Sequence, residues 1–489
     1  MAAKNVPLKT GLAIATCVAV LYGLHVYLAH HEEGQDKGLS PSIFQEAAKV
    51  DLFRHAPSML PPVPPPPIRK VVAPGQRQPI SPYFFDDSGA LDPFFAALHE
   101  LQSGAKPEVV TILHYGDSPT TADLITGDAR AQLQAKFGDA GHGYLLTAKP
   151  WAWYQHRDVD ISDHGWTDST AVGKGREEVY GIGGASFEGG PGAGSHITIK
   201  DASQTSVEIS YLARPNGGTV SVAANGAEVD SFSTEADSSH PAWHTVALPP
   251  ATKSIDIKPI SGSVRLFGEN FRTGASGLLY DSLGLNGAST SVLSYGFNPG
   301  AWSAELQHDK PSLVIINYGT NESGFGSYVD KQYEGTLVTT IQRLRAALPG
   351  VPILVMSPMD RGRRTGVDEI TTWDTIPRIV AIQQRVAAQQ HCAFFDTFEA
   401  MGGAGTMSRW YNGHPRLVAG DLIHPSPQGA AMVAQLLVKD MLTAYDQYLK
   451  RLSGDQTASN AAAVAPTPTA AKPPSDKLPS DKPGKPPNP

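Results

Sequence analysis

Cysteine is nearly missing from this chain: Cys17 and Cys392 are the only two among 489 residues. That excludes a disulfide scaffold and a cysteine-rich zinc module. Because Cys17 lies in an apolar N-terminal run, an internal bridge is not expected either. Charge is sparse too, at 18% of residues, and acids outnumber bases to leave a net charge of −8. The basic excess of a nucleic-acid binder is lacking, so no nucleic-acid partner is expected. No repeat period is evident. What the chain does have is a 41% hydrophobic fraction, enough for a sizeable core, and many turn formers, 48 Gly and 40 Pro. Its length suits two to four domains joined by loops or linkers.

One long apolar run stands out. Residues 11–29 (GLAIATCVAVLYGLHVYLA) carry no charge over 19 positions, enough to span a bilayer as a helix. Lys4 and Lys9 precede it, and His30, His31, Glu32 and Glu33 follow. The positive-inside bias then keeps the N-terminus cytoplasmic and exports everything beyond residue 30. A cleaved signal peptide is the rival, but a cut after Ala29 puts Tyr27 where a small residue is wanted. Residues 1–30 are therefore read as an uncleaved anchor. Residues 31–104 read as a proline-rich linker and lead-in, because the run 61–67 (PPVPPPP) favours a stiff polyproline II spacer. Residues 453–489, rich in Ala, Pro, Lys and Ser, have little to bury and read as a disordered tail.

Between these segments, short apolar runs predict buried parallel strands at residues 109–115, 278–285, 313–318, 353–356 and 393–396. Helical faces alternate with them. Ala122, Ile125, Ala129 and Leu133 form one face; Tyr333, Leu337, Ile341, Leu344 and Leu348 form another; Val433, Leu437 and Met441 form a third. Such alternation means a doubly wound α/β sheet with its site at the carboxyl ends of the strands. Residues 195–272 break this rhythm with short alternating strands (207–211, 219–222, 255–257) and an Asn225-Gly226 hairpin signal. They predict a β-sandwich inserted between α/β parts at 105–194 and 273–452, either structural or carbohydrate-binding.

Four short motifs carry chemistry. His114-Tyr115-Gly116-Asp117-Ser118 ends a strand and stands a serine at a helix start, with Pro119 suited to the first helical position. Asp421-Leu422-Ile423-His424 can supply an imidazole base and the acid that orients it. Asn321, in Gly319-Thr320-Asn321-Glu322, follows a strand and can donate an amide hydrogen to an oxyanion. Gly287 follows another strand and can offer an open backbone N–H. Taken singly, a helix cap or a turn residue explains each of them.

Their order is more specific. Strand-end Ser, Gly and Asn, then Asp-x-x-His before the last helix, resembles the SGNH (GDSL-like) hydrolase family over roughly residues 105–445. The Gly-Asp-Ser, the β-rich insertion, the Leu-Asn-Gly-Ala and the Asp-x-x-His-Pro are most similar to the peptidoglycan O-acetylesterase branch. The resemblance implies a flavodoxin-like three-layer α/β domain. It also implies a triad of Ser118, Asp421 and His424, and an oxyanion hole of the Ser118 N–H, the Gly287 N–H and the Asn321 amide. The expected activity is removal of O-acetyl groups from an envelope polysaccharide by an exported, membrane-anchored enzyme. An O-acetyltransferase with the same triad and a non-catalytic glycan-binding protein are the alternatives.

Two departures from the family pattern appear: Glu322 replaces the usual second Asp, and Pro119 follows the serine. Gly183, in Gly181-Ile182-Gly183-Gly184-Ala185, is a rival to Gly287. Neither glycine-rich run (190–194, 402–405) has nucleotide-loop spacing, and His30-His31 and His391-Cys392 lack further ligands, so no cofactor or metal is expected. Trp151, Trp153 and Tyr154 could stack on a sugar ring, although rim packing explains them as well. Arg361, Arg363 and Arg364 read as a solvated basic loop, with an anionic-glycan cleft as the sharper alternative.

Overall fold

The apolar runs do form strands buried on both faces. A computed structural model describes residues 79–104, 108–172, 179–366 and 369–464, the last ten of these as backbone only. Six strands make the central sheet, in the order Phe84–Phe85, Ala393–Phe395, Ile353–Met356, Leu313–Asn317, Val109–Gly116, Gly277–Gly284. All neighbours run parallel except the edge pair, where Phe84 and Phe85 oppose Phe395 and Phe394. Among the five parallel strands, chain order across the sheet is 2-1-3-4-5, the flavodoxin-like arrangement.

Alternation along each strand feeds two cores. Val110, Ile112, Leu313, Ile315, Leu354 and Met356 pack on the helices Asp92–Ser103, Leu124–Phe137 and Pro427–Val464. Their neighbours Leu113, Tyr115, Val314, Ile316, Ile353 and Val355 pack on Pro299–Asp309, Tyr333–Ala347 and Thr375–Gln389. Because side chains alternate faces, near-continuous hydrophobic sequence is what a sheet covered on both sides requires.

Two antiparallel sheets interrupt this domain. One runs Ala227–Ser233, Thr219–Ala224, Ser254–Ser261, Gly194–Ile199, Val159–His164; the other runs His240–Ala247, Ser206–Ala213, Val264–Arg272, Ala185–Gly189, Thr167–Thr170, with Gly143–Leu146 also paired to Val264–Arg272. Their inner residues, such as Ile197, Val220 and Ile255 against Phe187, Ile209 and Leu266, share one core. The Asn225-Gly226 turn joins Thr219–Ala224 to Ala227–Ser233, and both turn residues have positive φ, as a type I′ hairpin requires.

Boundaries differ from expectation in four places. The antiparallel strands begin at Gly143 and Val159, not near residue 195, because several are polar and short. The lead-in is folded from residue 79 onward, where the Phe84-Phe85 edge strand and the Asp92–Ser103 helix bury Phe84, Phe94 and Phe95. The last helix continues to Val464, through the start of the segment expected to be disordered. Finally, Ala122 lies outside its helix. A short turn at Ser118–Thr121 is followed by Asp123 in the left-handed region (φ 49°), and the long helix starts at Leu124. The proposed anchor, the proline run and residues 465–489 lie outside the described residues. Among those described, no helix is long and apolar enough to cross a membrane.

Candidate active site

Ser118 stands at the carboxyl edge of strand Val109–Gly116, whose neighbours are Gly277–Gly284 and Leu313–Asn317. This is where the strand order reverses, the position at which open α/β sheets bind ligands. Two glycines allow the serine turn to lie flush on the sheet. A Cβ on Gly116 would fall 2.1 Å from Thr120 Oγ1, and one on Gly284 would fall 2.0 Å from the Thr121 nitrogen. Larger residues at either strand end would lift the serine away.

The turn is pinned further by Asp123. Its carboxylate is buried, yet Arg130 pairs with it, Thr126 donates to it at 2.7 Å and the Arg157 N–H at 2.8 Å. Burial pushes this carboxyl up, but the Arg130 guanidinium and these donors prevail and hold it well below the usual range. The left-handed backbone at Asp123 is thus held by several independent bonds.

His424 reaches Ser118 across 306 residues of sequence. Ser118 Oγ and His424 Nε2 lie 2.7 Å apart, and His424 Nδ1 lies 2.6 Å from Asp421 Oδ2. The other Asp421 oxygen accepts the Ile423 N–H at 2.9 Å and the His424 N–H at 3.1 Å. Partial burial raises the Asp421 pKa, but the His424 hydrogen bond and the two backbone donors outweigh it and keep the carboxyl below its ordinary value. The loop has one costly backbone angle, Leu422 at φ 61°. The buried Leu422 side chain, the Ala419 N–H to His424 carbonyl bond at 2.8 Å and the Gly362 N–H to Leu422 carbonyl bond at 2.9 Å hold it there.

Gly287 and Asn321 converge from the two flanking strands. Asn321 Nδ2 donates to the Ala288 carbonyl at 2.8 Å, which ties the asparagine loop to the glycine loop and leaves the second amide hydrogen for another acceptor. Gly287 has φ 74°, and a Cβ there would meet nothing within 4 Å. Its requirement is the left-handed backbone, and the space beside it is open. Gly183 is placed otherwise. A Cβ there would lie 2.7 Å from the Tyr144 ring and 3.0 Å from Leu146, inside the packing of the antiparallel region.

Two supports had no clear sequence signal. Glu322 is buried, with one oxygen accepting the Thr290 N–H at 2.7 Å and hydroxyl at 2.8 Å, and the other the Gly319 N–H at 3.1 Å. It therefore braces both donor loops from beneath. Arg361, expected in a solvated loop, donates to the Thr320 carbonyl at 3.1 Å and Ser323 Oγ at 2.9 Å and packs over Trp373. Arg363 and Arg364 are exposed, over Trp373 and Tyr411 respectively. Asp117, beside the serine, is buried. Desolvation first, and then Glu322, push its carboxyl up to about 7. His114 is also buried and serves another role: its Nδ1 meets Tyr280 Oη at 2.7 Å, and burial lowers its pKa to about 4, so it is a neutral core residue.

A serine, an imidazole and a carboxylate in hydrogen-bonded series at the switch point of a 2-1-3-4-5 sheet define a serine-hydrolase site. Residues 262–432 match the GDSL-like Lipase/Acylhydrolase family, a span that holds Gly287, Asn321, Asp421 and His424 and begins after Ser118. Over that span the chain carries an SGNH (GDSL-like) hydrolase domain, in keeping with the serine-hydrolase site just described. Among solved structures, it shares its fold with a peptidoglycan O-acetylesterase at 24% identity and a TM-score of 0.62, over 72% of this chain and 96% of the other. A salicylyl-acyltransferase, SsfX3, from a tetracycline biosynthetic pathway matches at 13% identity and a TM-score of 0.29, over 62% and 97%. A carbohydrate esterase family 3 structure from Talaromyces cellulolyticus matches at 17% and 0.26, over 35% and 74%. No curated protein sequence matches.

Proposed function

We propose that this protein removes O-acetyl groups from a cell-envelope polysaccharide, peptidoglycan first, through an acetyl-enzyme on Ser118. The observation that carries the reading is the Ser118–His424–Asp421 series, with contacts of 2.7 and 2.6 Å. His424 Nε2 takes the Ser118 proton as Oγ attacks the ester carbonyl. Asp421 holds the opposite ring nitrogen protonated and stabilises the imidazolium. The oxyanion receives hydrogen bonds from the Ser118 and Gly287 N–H groups and the free Asn321 amide hydrogen, each such donor contributing about 3 to 4 kcal/mol. Collapse of the intermediate breaks the ester C–O bond, and His424 returns the proton to the departing sugar hydroxyl. Water then attacks the acetyl-enzyme, His424 again acting as base, and acetate leaves with Ser118 restored.

Solvent access favours water over a sugar as the acceptor. The His424 and Asp421 side chains are 41% and 45% exposed, so water has access to the acyl-enzyme from that side. The glycan assignment draws on the fold shared with the peptidoglycan O-acetylesterase. In the cell, residues 11–29 would anchor the enzyme with its catalytic domain exported, the Pro-rich run spacing it from the membrane.

Incubation with O-acetylated peptidoglycan tests the reading. Free acetate is expected from the wild type and none above background from Ser118→Ala. Acetyl transfer to an added glycan acceptor in place of acetate release would identify a transferase. Binding to glycan with no turnover of any acetyl ester would reduce the protein to a binding module.

A further inference from the structure

The loop joining Gly143–Leu146 to Val159–His164 brings an aromatic side chain from the antiparallel region to the active site. Trp153 is 48% exposed, one of the few large hydrophobic side chains left in solvent among the described residues. Position matters more than exposure, since scattered surface hydrophobics are ordinary. The loop is tied on three sides. Tyr154 is buried, and its hydroxyl accepts the Leu146 N–H at 2.8 Å. Gln155 N–H donates to the Thr121 carbonyl at 3.2 Å, fastening the loop to the turn that begins with Ser118. The Trp153 indole N–H donates to Asn286 Oδ1 at 3.1 Å, and Asn286 directly precedes Gly287.

This last bond consumes the only polar group of the indole and fixes the ring. What remains toward solvent is a flat apolar surface, held between the serine turn and the oxyanion glycine. A pyranose presents axial C–H groups on one face and polar hydroxyls around its edge. Its C–H face gains from desolvation against an indole, while the edge stays in water. We infer that Trp153 is the residue that holds the sugar ring bearing the acetyl ester, by stacking on it beside the oxyanion hole. It makes the enzyme selective for acetyl esters carried on a pyranose. This rests on the glycan reading above.

The measurement is the ratio of kcat/KM on O-acetylated peptidoglycan to kcat/KM on 4-nitrophenyl acetate, for the full chain and two variants. Trp153→Ala should lower the ratio about tenfold or more, mainly through KM on the glycan. Trp153→Phe should recover most of it, since it keeps a flat ring and loses only the N–H. An unchanged ratio in Trp153→Ala would overturn the assignment. A Phe variant as poor as the Ala variant would also overturn it, since support of the Asn286–Gly287 loop would then be the residue's role. Tryptophan fluorescence supplies an independent readout: a deacetylated oligosaccharide should shift the wild-type emission and leave Trp153→Phe unshifted. Should the wild type hydrolyse nitrophenyl acetate yet release no acetate from any acetylated glycan, the glycan reading itself fails and takes this proposal with it. Acetate release with an unaffected ratio sinks Trp153 alone.

Discussion

Two carboxyl groups belong to the surroundings of Ser118, Asp117 next to it in the chain and Asp421 behind His424, and their environments set them apart. Asp421 sits on a solvent-facing loop, where an imidazole and two backbone N–H groups keep it ionised. Asp117 lies beneath the serine, out of water and near the equally buried Glu322, and holds its proton up to about pH 7. The same functional group thus orients a base at one position and forms part of a packed floor at the other. Placing the charged carboxylate at the rim and the proton-holding Asp117 in the floor lets the site orient His424 with less buried charge beside the serine.

The comparison can be broken first at the rim. His424→Ala removes the base, and kcat on an acetyl ester should fall by about 10^4-fold or more in steady-state assays. Asp421→Asn keeps the shape but loses the charge and the enforced tautomer. A loss of roughly 10^3- to 10^4-fold in kcat is expected, and a variant within tenfold of wild type would show that Asp421 does not orient the imidazole.

The floor is tested by stability instead. For Asp117, the folded pKa of about 7 lies above the unfolded value of 3.8. Between those values the unfolded chain binds fewer protons than the folded one. Stability therefore falls as pH rises from about 4 to about 7 and levels off above, by at most a few kcal/mol from this group. Chemical denaturation at several pH values should show that slope in the wild type and a flatter one in Asp117→Asn. The smallest effect is expected from Glu322→Gln. One of its oxygens becomes an NH2 that cannot accept from Gly319 or Thr290, costing about 1 to 3 kcal/mol of stability by denaturant melts.

The α/β half of the fold was legible because strands covered on both faces leave continuous apolar runs: residues 353–356 were read to the residue, and the other four strands to within one position at either end. The antiparallel half was harder. Strands such as Thr167–Thr170 and Val159–His164 are short, polar and half exposed, so no hydrophobic run marks where the region starts. The Phe84-Phe85 edge strand is only two residues long, and its identity depends on Phe394 and Phe395, more than 300 residues away. At the site, the order of Ser118, Gly287, Asn321, Asp421 and His424 could be read from motifs. Arg361 and Glu322 could not be assigned as supports, since an arginine in a basic loop and a glutamate in a turn look like surface residues until their partners are known.

By itself, then, the sequence determined which groups the chemistry has available and at which strand ends they stand, because hydrophobic period and turn residues act over a few positions. Only the tertiary structure decided which glycine has open space beside it, which carboxyl stays charged and which tryptophan stands at the rim. Those outcomes depend on desolvation and on contacts between segments far apart in the chain, and no local pattern encodes them.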